Sequence, residues 1–216
     1  NPTLVYLDTS SSPYVMKTVQ VDINNPIAFN SSNTIVSSVN ASNPTYDVAV
    51  NSADADAGNA VFAFNTNAST TLGVGYIGTD GVVGGPANGF PGAVTIGSTN
   101  TNDFITLCTD RVNTDPTQSE RIYVAYSSRT ASAGLKIKRI KSTLTVEATH
   151  TVQGTATQIT GASVIITQAG DLQIIYTLSA SNTYDYQVKG AVYDVSADTM
   201  GSAAIIKRSV GLASKI

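Results

Sequence analysis

The chain holds one histidine, His150, and one cysteine, Cys108. A Ser-His-Asp triad needs a histidine held by a carboxylate beside a nucleophile. His150 stands in Ala148-Thr149-His150-Thr151-Val152, with no Gly-x-Ser-x-Gly elbow in the chain and no acid at a spacing that would mark a triad. It is therefore expected as an exposed strand histidine. One His and one Cys also fall short of the four ligands of an ordinary structural zinc site. Cys108 ends the apolar run Phe104-Ile105-Thr106-Leu107-Cys108, where it would share a strand face with Phe104 and Thr106. A packed free thiol is expected, because unpaired cysteine is commonly buried. No intrachain disulfide can form, which excludes a disulfide-stapled secreted scaffold.

Carboxylates offer little more. Asp54, Asp56 and Asn59 in ADADAGNA could present oxygens to Ca²⁺, but no late bidentate Glu follows, and a hairpin turn is the expectation. Asp185 and Asp194 are the weakest of candidates for a glycosidase pair. Nine residues of strand would hold them roughly 30 Å apart, against the roughly 5–9 Å such a pair needs. The glycine-rich stretch from Gly78 to Gly92 lacks the Gly-Lys-Ser/Thr ending of a phosphate loop and no helix pattern follows it. It reads as a long connector, with a loop lining a binding surface as the alternative. Neither a metal nor a cofactor is expected.

Two further groups concern surfaces. Lys136, Lys138, Arg139 and Lys141 are the one local basic cluster. On a strand, 136 and 138 share one face while 139 and 141 share the other, and a solvated strand is expected. Tyr184, Tyr186 and Tyr193 lie near one hairpin, with Tyr176 on the adjacent strand; these aromatic rings are the candidate contact surface, because such rings stack on sugars and anchor interfaces. Sequons occur at Asn30, Asn40 and Asn67, as chance would produce in so Asn/Ser/Thr-rich a chain.

The elements that position these residues show in the composition. The chain is 42% hydrophobic, enough for a core, yet only 12% charged, with two Glu in all and a net charge of −3. Ser, Thr and Asn make up 67 of the 216 residues. A disordered chain and a coiled coil are both excluded. No apolar run approaches the roughly 20 residues of a membrane helix, so no membrane insertion is expected. A nucleic-acid partner is not expected either, since such binders carry a basic face. The chain does not begin with Met and shows no signal peptide, so either processing or excision from a longer polypeptide is expected.

Apolar runs recur in a fixed order. Leu4–Leu7, Val61–Phe64, Ile122–Tyr126 and Leu172–Tyr176 are each followed by a polar loop and a second run: Tyr14–Val21, Leu72–Ile77, Leu135–Ile140 and Tyr186–Tyr193. Upstream runs precede the last three, at Asp47–Val50, Phe104–Cys108 and Ser163–Thr167. Weaker downstream runs follow at Thr34–Val39, Ala93–Ile96, Leu144–Ala148 and Ala203–Ile206. Aligning Leu7, Phe64, Tyr126 and Tyr176 gives spacings of 57, 62 and 50 residues. Val, Ile, Thr, Tyr and Phe dominate the runs, as a pleated sheet requires. The alternation in Leu135–Ile140 breaks after Ile137, as at a bulge or an edge. An all-β single domain is expected, with antiparallel repeats of up to four strands at 1–45, 46–102, 103–161 and 162–216.

Four-stranded antiparallel repeats of this size resemble the blades of a β-propeller. The resemblance covers nearly the whole chain but carries no signature: there is no Trp, hence no Trp-Asp dipeptide, and no Asp box. A solenoid or stacked sandwiches are the alternatives. The first repeat enters at its second strand, so the expectation is a segment of a larger propeller or a four-bladed ring with an incomplete closing blade. In composition the chain is similar to phage tail and fibre proteins and to secreted bacterial surface proteins. That resemblance implies a non-catalytic structural or adhesive role in a virion or extracellular assembly, with other protein subunits, and cell-surface glycan, as partners. A secreted glycan-active enzyme and a protein-interaction scaffold are the competing expectations.

Overall fold

A computed structural model describes residues 2–22, 24–25, 32–42, 44–50, 60–66, 71–78, 81–84, 94–97, 104–110, 121–127, 134–154, 158–179 and 186–209; of residues 158, 186, 208 and 209 it describes the backbone alone. The described chain is all-β and entirely antiparallel between neighbouring named strands. The first sheet is a three-stranded meander of β1 (Thr3–Asp8), β2 (Tyr14–Gln20) and β3 (Asn33–Val39). The second runs β4 (Tyr46–Val50), β5 (Ala60–Asn65), β6 (Leu72–Ile77) and β7 (Val94–Thr95). The third runs β8 (Phe104–Thr109), β9 (Arg121–Ser127), β10 (Leu135–Lys141) and β11 (Val146–Gln153). The fourth holds β12 (Gln158–Ile166), β13 (Leu172–Ser179), β14 (Tyr186–Asp194), β15 (Thr199–Met200) and β16 (Ala204–Ser209), the last two both pairing with β14.

Each expected run contains a strand, including Ala203–Ile206, where a short helix was the alternative; of Ala93–Ile96 the strand is Val94–Thr95 alone, and Leu144 and Thr145 precede β11. A repeat boundary after Gly161 cuts through β12, which begins at Gln158 and carries a bulge between Ile159 and Gly161.

Consecutive sheets pack face to face, and the alternation of side chains along a strand decides which core each residue enters. On β5, Phe62 and Phe64 pack against Met16, Ile35, Val36 and Val39 of the first sheet, while Val61 and Ala63 pack with Ile105, Leu107 and Val124 of the third. On β9, Ile122, Val124 and Tyr126 face the second sheet, and Tyr123 and Ala125 face the fourth. Both faces are dry, so these strands read as continuous apolar runs rather than alternating ones. The broken alternation of β10 has the same origin. Leu135 and Ile137 enter the core shared with the fourth sheet, and Ile140 enters the one shared with the second. Its pairing with β9 is regular throughout, while both irregularities lie on the β11 side.

The sheets approach one another at their first strands: β4 lies against β8, and β8 against β12. These are edge strands, whose outward backbone groups need partners. Asp47 on β4 supplies one, its Oδ2 accepting a hydrogen bond from the Leu107 N–H at 2.8 Å. Thr109 on β8 returns another, its hydroxyl donating to the Val50 carbonyl at 2.8 Å.

The first interface depends on a missing side chain. Gly73 pairs with Phe64 across the β5–β6 ladder, and a Cβ there would lie 2.3 Å from the Phe64 ring. That ring is buried and stacked on Phe62, with centroids 5.9 Å apart, so it has nowhere to swing. Gly73→Val is expected to cost about 1–3 kcal/mol, the usual penalty of overpacking, read as a lowered urea midpoint. Adding Phe64→Ala to that variant should recover part of the loss caused by the clash, leaving the cost of the cavity.

Candidate functional site

The largest gathering of charged groups among the described residues lies between the third and fourth sheets, and β10 explains why. Its odd-numbered residues face the fourth sheet, so Arg139 points at β14 while Lys138 points back toward the second sheet. The expected solvated strand is therefore corrected: Lys138 is buried, because each face of β10 is covered by a neighbouring sheet. Its ammonium lies 5.7 Å from the centre of the Tyr126 ring and donates to the Thr149 hydroxyl at 3.2 Å. Burial, with Lys136 close by, lowers its pKa.

Glu147 is the residue skipped between Val146 and Ala148 in the β10–β11 pairing. Such a bulge re-aims a side chain. Here the carboxylate reaches the side of the sheet that carries Arg121, Arg139 and Lys141. Arg121 Nε lies 2.5 Å from Glu147 Oε2, Arg139 Nε 3.1 Å from it, and Lys141 Nζ 3.6 Å from Oε1. Burial works against ionisation of Glu147, but the hydrogen bonds from the two guanidinium groups outweigh it and hold its pKa below the ordinary value.

The fourth sheet answers with Tyr193 on β14 and with Asp198, which has a positive φ of 53° in the turn before β15. The Tyr193 hydroxyl donates to Asp198 Oδ1. His150 Nε2 lies 3.0 Å from the same oxygen and Arg139 Nη1 3.5 Å from it. Arg139 Nη1 also donates to the Tyr193 hydroxyl and to the Val195 carbonyl, both at 3.3 Å. The His150 and Tyr193 rings pack at 4.8 Å. Tyr193 donation lowers the Asp198 pKa, against partial burial and with help from His150. Burial, then the Asp198 hydrogen bond, pushes the Tyr193 phenol up to about 12.

A carboxylate and a histidine thus meet, although their separation in sequence gave no sign of it; only the packing of β11 on the β14–β15 turn brings them together. Their chemistry is limited. Among the described residues no hydroxyl nucleophile bonds to the His150 ring, and Tyr193 is a protonated phenol with no exposed surface. Asp198 and Lys141 are about half exposed, while Arg121 and Arg139 are nearly covered. The described residues form no group of three or more metal-ligating acids, His or Cys. A cleft of about 270 Å³ among the described residues lies between the first two sheets instead. Thr3, Val5, Val48, Val50, Ala60, Ile77 and Gly78 line it, and none of them titrates. Charge and concavity are in different places.

The other expected positions fall out as follows. Tyr193 is wholly buried at the sheet interface, so its ring offers no contact surface; its side of β14 is roofed by the third sheet. Tyr186 begins β14, where only its backbone is described, and Tyr184 lies outside the described residues. Tyr176 is buried, its hydroxyl donating to Gln153 Oε1 at 3.0 Å; Lys189 donates to the same oxygen at 3.2 Å. His150, expected to be exposed, keeps about a fifth of its side-chain surface. Asp194 caps its own turn through Ser196 and Ala197. Asn40 is buried and accepts the Ser42 N–H at 2.8 Å, so its amide is not open to a glycan. Asn30, Asn67, Asp54, Asp56, Asn59, Asp185 and most of the glycine-rich stretch lie outside the described residues. Cys108 is a free thiol packed beside the core between the third and fourth sheets, as expected. Burial, reinforced by Asp110 and Asp47, pushes its pKa up to about 12.

No protein-family model matches the chain, and comparison with curated proteins finds no significant relative.

Two outcomes follow from these environments. A carboxyl whose folded pKa is lowered adds stability above its unfolded value, and the gain is lost as pH falls through the folded one. For Glu147 and Asp198 the loss begins near the ordinary values, about pH 4, and continues below. Glu147→Gln is expected to flatten this acid limb and to cost about 1–3 kcal/mol at neutral pH, as urea unfolding at a series of pH values would show. Cys108, for its part, is expected to react with a disulfide reagent at pH 8 far more slowly in the native protein than in denaturant; equal rates would contradict a packed thiol.

Proposed function

We propose that the chain is a non-catalytic β-propeller segment that serves a structural or adhesive role in a virion tail or an extracellular surface assembly, contacting other protein, or cell-surface glycan, through its loops. The observation that carries the non-catalytic part is the use made of its charged groups. Arg121, Arg139, Glu147, His150 and Asp198 are spent on one another across a sheet interface, and the cleft between the first two sheets is lined without a titratable side chain. A catalytic centre needs the reverse, with titratable groups in a concave site.

The propeller reading is supported by four successive antiparallel meanders, by their face-to-face packing in chain order, and by the approach of β4, β8 and β12. The assembly setting is supported by the low charge and the surplus of Ser, Thr and Asn.

The test is hydrolysis of a panel of glycans, run beside binding to the same panel. Binding or its absence is compatible with the proposal, but bond cleavage is not: turnover that Asp198→Asn or Glu147→Gln abolishes, with the fold intact by circular dichroism, would replace it with a glycosidase.

A further inference from the structure

The three internal interfaces share one polarity. The trailing face of each sheet, set by one parity of its strands, meets the leading face of the next. On the leading face a residue recurs at the same place in the second half of the motif strand: Phe64 on β5, Tyr126 on β9 and Tyr176 on β13. All three rings are buried against the preceding sheet. Two of them stand opposite a lysine on the next strand, Tyr126 facing Lys136 and Tyr176 facing Lys189.

The first sheet repeats this design on a face where the described residues form no core cluster. Val5 and Leu7 face the second sheet, so Leu4 and Tyr6 belong to the leading face. Tyr6 stands opposite Lys17 on β2, in the same cross-strand pair as Tyr126–Lys136 and Tyr176–Lys189. Beside it Leu4 keeps 51% of its surface exposed.

At the other end of the stack the trailing face of the fourth sheet is equally open. Ile165, Ile175 and Val192 point away from the third sheet and keep 50%, 38% and 48% of their surface. Ile206 joins them, its Cδ1 lying over Gly190, where a Cβ would approach to 2.9 Å. The polar side chains between them, Ser163, Gln173 and Thr177, carry no charge. On the first sheet Lys17 is neutralised by Asp8 at 2.6 Å. Charge on the open side of the fourth sheet lies at its margins, Lys207 opposite Val188 and Asp194 at the end of β14, and exposed apolar groups gathered in this way mark interaction sites.

We propose that these two faces are the halves of one more interface of the same kind, made between two copies of the chain. The trailing face of the fourth sheet of one copy receives the leading face of the first sheet of the next, with Tyr6 and Leu4 seated on Ile165, Ile175 and Val192. The occupant is a second copy because the open leading face continues the tyrosine–lysine design of the internal interfaces, and the open face of the fourth sheet carries exposed aliphatic side chains on which such a face can seat. The contact is heterologous, so it propagates until the turn per copy closes a ring or leaves an open filament. It deepens the assembly reading above and rests on it only for the setting.

The experiment is native mass measurement of the chain and of two variants. Wild type is expected as a multiple of the chain mass. Ile175→Lys with Val192→Lys removes one half of the contact, and Leu4→Lys with Tyr6→Ala removes the other. Each variant alone is expected as a monomer with wild-type circular dichroism. Mixed one to one, they retain a single intact interface per pair and are expected to give a dimer and nothing larger. A monomeric wild type overturns the proposal whatever the variants do, as does an assembly that persists when the Leu4/Tyr6 face is altered. Either result leaves the non-catalytic reading standing, since that reading fails only on turnover.

Discussion

Every interior sheet of this protein must be dry on both faces, and the rest of the structure follows from that demand. A strand offers its side chains alternately to its two sides. In the second and third sheets each side meets another sheet, so one strand serves two cores. β9 is the plainest case, with Ile122, Val124 and Tyr126 in one core and Tyr123 and Ala125 in the other. Charged side chains have no free face in such a strand. They lie at strand ends, where Arg121, Arg139 and Lys141 reach Glu147, or they snorkel over a ring, as Lys138 does over Tyr126. The scarcity of charge in the sequence follows from the scarcity of places for it.

The polar ties between sheets answer a second need. Apolar layers alone are non-directional, so two flat faces can slide. Hydroxyl and carboxylate contacts at their margins fix the register. Thr18 donates to the Gly81 carbonyl across the first interface, Tyr76 to the Ser142 carbonyl across the second, and Tyr176 to Gln153 across the third. Asp47 does the same for the first strands, where it occupies a backbone N–H that an edge strand would otherwise leave open. The Arg139–Glu147–His150–Tyr193–Asp198 network belongs to this series. Its resemblance to catalytic machinery comes from residue types, while its saturation with internal partners comes from its work as a tie.

The strands were legible because β-branched and aromatic runs bounded by polar loops are a local signal. The faces were not, because they depend on parity, and a slip of one residue exchanges them. Aligning Leu7 with Phe64, Tyr126 and Tyr176 matches four apolar residues correctly in kind and wrongly in face: Leu7 is on the trailing side, and the counterpart is Tyr6, as its cross-strand lysine shows. The same blindness made Tyr193 look like a surface ring and Lys138 a solvated one. Lys138 lies on a strand covered on both sides and Tyr193 on the covered side of its strand, and coverage is a property of neighbouring sheets, not of the strand. The pairing of His150 with Asp198 was hidden for a related reason. It requires the β11 bulge, the β14–β15 turn and their contact, three long-range facts with no local trace. The bulge at Glu147 has no local signal either, since Glu147 falls on a polar position in the alternation from Leu144 to Thr149.

Sheets packed face to face in chain order distribute function in a particular way. Interior sheets have spent both faces on packing, so they retain only their loops and strand ends for contact with anything else. The first and fourth sheets keep exposed apolar side chains on the side away from their described neighbour, Leu4 on one and Ile165, Ile175 and Val192 on the other. Solvent-facing strands of an ordinary antiparallel sheet alternate apolar with polar and place the polar set outward. Here Leu4 on β1 and Ile165, Ile175 and Val192 on the fourth sheet depart from that rule among polar neighbours such as Gln173 and Thr177, at the cost of exposed Ile and Leu in an isolated chain. Such faces are paid for only if they are covered. On the assembly proposed above, the constraint on this sequence is to keep two surfaces of one chain mutually complementary.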